Sequence, residues 1–151
     1  MNEIIVIGTN PPCPRCGLLT SVLKEKITEL NINANVRHLC YTDVEAKSFA
    51  KKIGLETGTA KDVSKKLGIP INIEGMQELI IDNSSEENFE YKKYNQNNWS
   101  SELDKFLREF EKKAIRAKIL MTPILVINNQ IIHSGSVPRL SYIENLLRNL
   151  K

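Results

Sequence analysis

At 151 residues and 41% hydrophobic content, the chain has the length of one ordinary domain able to bury a core, so one fold carrying one site is expected over residues 1–151. Its formal charge of +3 is mild, and basic residues alternate with acidic ones instead of forming a block, which gives no reason to expect a nucleic-acid partner. Met1-Asn2-Glu3 lacks the basic start of a signal peptide and the apolar run at 4–7 is too short for a bilayer, so a cytoplasmic chain with no membrane association is expected, and its three cysteines are too few for a secreted disulfide framework.

Residues 3–7 are apolar and β-branched almost without interruption and predict a buried first strand, closed by Gly8-Thr9-Asn10-Pro11-Pro12, through which no strand or helix continues. From Pro14, which suits a first helical turn, Leu19, Val22, Leu23, Ile27 and Leu30 recur at helical spacing. Cys13 is thereby set at a helix N-terminus. The imperfect alternation over 33–41 predicts a second strand, parallel to the first after the crossover helix. Two short helices follow. One starts near Thr42 or Asp43 with Ala46, Phe49, Ala50 and Ile53 on one face; the other starts at Thr59, with Asp62 completing a capping box, and ends at Gly68 and Pro70.

Over 69–99 no firm element is predicted: Ile71 and Ile73 alternate briefly, Leu79-Ile80-Ile81 is a short apolar run, and 95–98 is uncharged and polar. An amphipathic helix is predicted over about 101–118, with Leu103, Phe106, Leu107, Phe110, Ala114 and Ala117 in one stripe and Ser101 and Asp104 marking its start. Residues 124–127 and 131–133 predict a hairpin across Asn128-Asn129-Gln130, because Asn tolerates the left-handed backbone of such turns. A closing helix from about Pro138 turns Leu140, Ile143, Leu146, Leu147 and Leu150 inward.

The chemistry concentrates at Cys13-Pro14-Arg15-Cys16. A thiolate on Cys13 is stabilised by the unpaired N–H groups and dipole of the helix start and by the Arg15 cation, and a pKa of roughly 4–7.5 is typical of such sites. Cys16 lies on the same helical face, close enough for a disulfide, and is expected to be the more buried, resolving thiol. The element order predicts an α/β fold with a central four-stranded mixed sheet flanked by helices, its first two strands parallel and its last two a hairpin. A mainly helical insertion at 42–100 separates strand 2 from the Thr122-Pro123 strand.

The stretch from Gly8 to Cys16 with its following helix, together with Thr122-Pro-Ile-Leu-Val-Ile-Asn-Asn-Gln-Ile-Ile-His-Ser-Gly-Ser-Val-Pro138, resembles the small redox-active disulfide proteins of prokaryotes, in the thioredoxin- and glutaredoxin-like superfamily. The resemblance covers both ends of the chain and leaves out the insertion. It implies a thioredoxin-like fold and a thiol–disulfide oxidoreductase in which Cys13 attacks and Cys16 resolves. It further implies a cis Pro123 facing Cys13, a Thr122 whose main chain pairs with an extended substrate, and Pro14 and Arg15 beside that substrate. A protein or small-molecule disulfide and a recycling reductase are the implied partners of a monomer whose only redox group is the Cys13–Cys16 disulfide, with no other cofactor and no metal. Two departures are plain: no Trp precedes Cys13, and the dipeptide between the cysteines is Pro-Arg where thioredoxin has Gly-Pro, so thioredoxin's potential is not carried over.

Other classes fit the same residues. Cys13 and Cys16, with or without Cys40 and His38, could hold a soft metal or metalloid ion; the domain could instead bind partners through its insertion without catalysis. Asn10-Pro11-Pro12-Cys13 has a loose likeness to an arsenate reductase loop, with Arg15 as its one evident oxyanion cation. Cys40 is expected as a buried apolar residue, His38 and His133 receive no catalytic role, and residues 69–99 are expected as structural elaboration, with a lid over Cys13 as the alternative.

Overall fold

The computed structural model describes residues 1–72, 74–75 and 101–151, with 101–104 described in their backbone only. Among these the order is β1 (Asn2–Gly8), α1 (Pro14–Glu29), β2 (Ala34–Cys40), α2 (Val44–Lys51), β3 (Glu56–Gly58), α3 (Ala60–Leu67), α4 (Ser101–Ala114), β4 (Ile119–Met121), β5 (Ile124–Ile127), β6 (Gln130–Ser134) and α5 (Leu140–Arg148). The expectations for Ile73, for Leu79-Ile80-Ile81, for 95–99 and for the side chains of Ser101, Leu103 and Asp104 lie outside the described residues.

A four-stranded mixed sheet in the order β2-β1-β5-β6 is flanked by helices. β1 runs parallel to β2 and antiparallel to β5, which forms the expected hairpin with β6. The unbroken apolar character of β1 has its reason here. Ile4 and Val6 enter a core with residues of α1 and α5, while Ile5 and Ile7 enter a second core with residues of α2. β5 divides in the same way, and a strand buried on both faces has no polar face to alternate with. Asn128 and Asn129 turn the hairpin at φ 48° and 68°, the left-handed pair that a two-residue connection needs.

Three elements differ from the expectation. Beside the expected helices α2 and α3 the insertion contributes an unexpected strand: β3 pairs in parallel with β4 as a separate two-stranded sheet, Glu56 opposite Ile119 and Gly58 opposite Met121. Three residues in each strand are too few to display a period. The long helix stops at Ala114, and Lys118 reverses the chain at φ 58°; Ala117 nevertheless joins Phe110, Leu107, Val63 and Met121 in a third core. Ile53 is 55% exposed, because α2 ends at Lys51 and Gly54 turns the chain at φ 75°. The capping box of Thr59 and Asp62 forms as expected, and Gly68 closes α3 at φ 67°. No helix among the described residues is long and apolar enough to cross a membrane.

Candidate functional site

Cys13 is the N-cap of α1 and Pro14 its first residue. The preceding loop contains a cis Asn10–Pro11 bond and is clamped by Thr9, whose hydroxyl donates to the Pro11 carbonyl at 2.9 Å and accepts from the Cys13 N–H at 2.8 Å. Behind the loop, His38 Nε2 lies 2.9 Å from the Thr9 carbonyl. A carbonyl only accepts, so this nitrogen carries the hydrogen. Gly8 is required by packing: a Cβ there would fall 2.3 Å from Cys16 Sγ and 2.6 Å from Cys16 Cβ. The first turn of α1 rests on the end of β1 only because position 8 has no side chain.

Both thiols are free, Cys13 half-buried and Cys16 completely buried. Their sulfurs are 2.9 Å apart, and the Cys16 N–H lies 3.4 Å from Cys13 Sγ. The Cys16 thiol donating to the Cys13 sulfur is the main reason that Cys13 is lowered from 9.0 to about 6. Burial opposes this, while the Cys16 N–H and the Arg15 charge add to it. Cys16 moves the other way, raised well above the usual thiol range because its proton is committed to Cys13, because it is buried, and because the Cys13 charge is adjacent. A half-exposed thiolate hydrogen-bonded to a buried thiol is the arrangement of a nucleophile and a reserve.

Arg15 is 3% exposed. Its guanidinium donates to the Gly135 carbonyl, and the Gly135 N–H donates to the Pro123 carbonyl at 3.0 Å. The start of α1, the turn after β6 and the Thr122–Pro123 step are thus one connected unit, although they lie at opposite ends of the chain. Gly135 sits at φ 90° with Glu111 Cγ only 2.7 Å from where a Cβ would be, so no other residue fits that turn without strain.

The Thr122–Pro123 bond is cis and carries the chain from β4 in the small sheet to β5 in the large one. Thr122 was expected to hold a substrate through its main chain. Its main-chain N–H is already taken, donating to the Gly58 carbonyl at 2.9 Å, because the β3–β4 pairing extends one residue beyond the strands. Any pairing of a substrate with Thr122 has to use other atoms of the residue.

Cys13, Pro14, Arg15 and Thr9 form one side of a cavity of about 310 Å³. Thr122, Leu107, Tyr41 and the start of α3 from Thr59 to Lys61 complete it; Pro123 is not among the lining residues. Six of these, Thr9, Tyr41, Thr59, Ala60, Lys61 and Leu107, had no assigned part in the site. Thr9 and Tyr41 follow the carboxyl ends of β1 and β2 directly, and the carboxyl edge of an α/β sheet is where ligands gather, which is the signal that could have found them.

Cys40 is not a core residue: it is half-buried, with its sulfur 3.1 Å from the Thr42 hydroxyl. Among the described residues, no three His, Cys, Asp or Glu side chains come together in a way that could hold a metal ion. His133 lies 2.9 Å from the Ser136 hydroxyl, and burial lowers its pKa.

No protein-family model matches this chain, and no curated protein does. What the site can do therefore rests on its own geometry.

Proposed function

We propose that the chain is a thiol–disulfide oxidoreductase of thioredoxin-like fold that reduces disulfides with the Cys13–Cys16 dithiol. The observation that carries this is the asymmetry of the pair: Cys13 half-exposed at a helix start and lowered to about 6, Cys16 buried, hydrogen-bonded to it and raised. The sheet order β2-β1-β5-β6, with Cys13 in the β1–α1 loop and a cis Pro123 before β5, supports the fold assignment.

In the reaction the Cys13 thiolate attacks one sulfur of a substrate disulfide, forming a mixed disulfide and releasing the other substrate sulfur as a thiolate that takes up a proton. Cys16 then loses its proton and attacks Cys13 Sγ, which frees the second substrate thiol and leaves the Cys13–Cys16 disulfide. Two electrons pass to the substrate, and an external dithiol restores the pair. The buried position of Cys16 keeps it from reacting first, and Gly8 allows it to stay within reach.

The test is a redox titration of the purified protein in glutathione or dithiothreitol buffers, with alkylation and mass spectrometry reading the two cysteines. One two-electron transition is expected, lost entirely in Cys13→Ser, while Cys16→Ser accumulates the mixed disulfide. A pair that stays reduced throughout, or one protected by a stoichiometric soft metal ion, would overturn the assignment.

A further inference from the structure

Tyr41 lines more than the thiol cavity. The same residue lines a second, larger groove of about 1010 Å³ whose walls come from α2, β3, α3 and the turn before β4. Its charged lining is Lys47 and Lys51 from α2, Lys65 and Lys66 from α3, and Lys118, against only Glu56 and Asp62. All five lysines are exposed, and none forms an ion pair with another described residue. The Asp62 carboxylate is already used by the Thr59 N–H and hydroxyl in the capping box. The groove therefore holds as much net positive charge as the whole chain, whose formal total is +3. Lys61, in the wall of the thiol cavity, extends the basic lining toward Cys13.

The distribution of these charges identifies the kind of partner. Solvated lysines spread over three segments, with no buried donor among them, suit several separated carboxylates better than one compact phosphate. Glu56 and Thr57 of the wall belong to β3, whose one ladder partner among the described residues is β4, and a strand paired on one side is where an extended chain is accommodated. The Thr122 N–H is taken by Gly58, so a polypeptide substrate near Cys13 draws on contacts other than that N–H.

We infer that this lysine groove docks an acidic, extended polypeptide segment next to the disulfide that Cys13 attacks, so that the preferred substrates are proteins whose reducible cystine is flanked by Asp and Glu. The inference takes the disulfide chemistry from the oxidoreductase assignment above and the acidic preference from the groove alone. The electron balance is unchanged: two electrons and two protons leave Cys13 and Cys16 for the two partner sulfurs, and dithiothreitol recharges the pair. Attraction of this kind acts mainly on encounter and is screened by salt.

The experiment compares two peptides carrying the same cystine, one flanked by Glu and one by Gln, with hydroxyethyl disulfide as a small neutral reference, under dithiothreitol recycling at about 20 mM and about 500 mM salt. Fluorescence anisotropy follows the binding of each peptide in parallel. At low salt the Glu peptide is expected to bind, and to be reduced, on the order of tenfold better than the Gln peptide, with the difference largely gone at high salt. The Lys51→Glu/Lys65→Glu variant should lower the ratio of Glu-peptide to hydroxyethyl disulfide turnover by a similar factor. Lys24→Glu/Lys112→Glu, the same charge change made on exposed positions elsewhere, should leave that ratio where it was. Taking the ratio to the neutral disulfide removes any loss from misfolding.

Equal binding of the two peptides, or a preference indifferent to salt and to the groove variant, overturns the inference. So does a single-stranded oligonucleotide that binds the groove where the Glu peptide does not. If none of the three disulfides is reduced while the Glu peptide still binds in a salt- and Lys51/Lys65-dependent way, the docking groove stands and the oxidoreductase assignment falls.

Discussion

The two walls of the thiol cavity are built on different principles. On the wall carrying Cys13, fixed contacts set each part: Gly8 admits Cys16, Thr9 clamps the loop, and buried Arg15 ties the helix start to Gly135 and through it to Pro123. On the facing wall, α3 stands on its own capping box and a small apolar core, and presents exposed lysines to solvent. Reactive groups gain from being held in one geometry, since a thiolate is stabilised only where its donors stay in place. Charges that attract a partner lose little by remaining solvated, because their effect is long-ranged. In the proposed reading, chemistry and recognition are divided between the large sheet and the insertion, which meet at Thr122.

The largest expected effect probes whether these two parts are one unit. Phe110, 5% exposed in the core between α3, α4 and β4, should cost about 3–5 kcal/mol when changed to Ala. Urea unfolding followed by both far-UV circular dichroism and Cys16 alkylation should give a single transition at lower denaturant. Two separated transitions would mean that the insertion core unfolds without the thiol wall.

A smaller effect is expected on the thiol wall itself. Gly8→Ala should cost about 1–3 kcal/mol through overpacking and displace Cys16 from Cys13. Removing the Cys16 donor withdraws the main stabilisation of the Cys13 thiolate, so the Cys13 pKa should rise from about 6 toward 9.0. Only the thiolate is alkylated, so the iodoacetamide rate of the native protein should level off by neutral pH and fall as pH drops through about 6. In Gly8→Ala the midpoint should move upward and the rate at neutral pH should drop. An unmoved midpoint would show that the contact between β1 and the first turn of α1 does not control the thiolate.

The smallest effect belongs to the insertion wall. Thr59→Ala removes one half of the capping box and should lower stability by about 1 kcal/mol, with the Cys13 alkylation profile unchanged. A shifted profile would mean that α3 sets the electrostatics of the thiol, and the division of labour between the walls would fail.

Much of the thiol wall was legible because its signals are local. Pro14 after Cys13 starts a helix by the fixed geometry of proline, and the three-residue step from Cys13 to Cys16 is a property of that helix. Tyr41, by contrast, offered only its place after a strand. The same spacing argument that placed Phe49 and Ala50 correctly put Ile53 on an apolar face it does not occupy, since periodicity continues on paper past the point where Lys51 ends the helix. Ala117 misled in the opposite direction: it lies in helical phase with Ala114 and is buried beside it, yet the backbone between them has already left the helix.

Features settled within three or four residues were written in the amino-acid order: the helix start at Cys13-Pro14, the Thr59–Asp62 box and the Asn128-Asn129 turn, because backbone sterics and nearby hydrogen bonds decide them. Arg15 was different. A charged residue two positions after a nucleophile is by default solvated, and its burial here is supported by contacts that include a carbonyl 120 positions away in the sequence. The pairing of β3 with β4, the use of the Thr122 N–H by Gly58, and the gathering of five lysines from α2, α3 and the turn before β4 are of the same kind. Each depends on which distant segments pack together, and no local period or propensity encodes that.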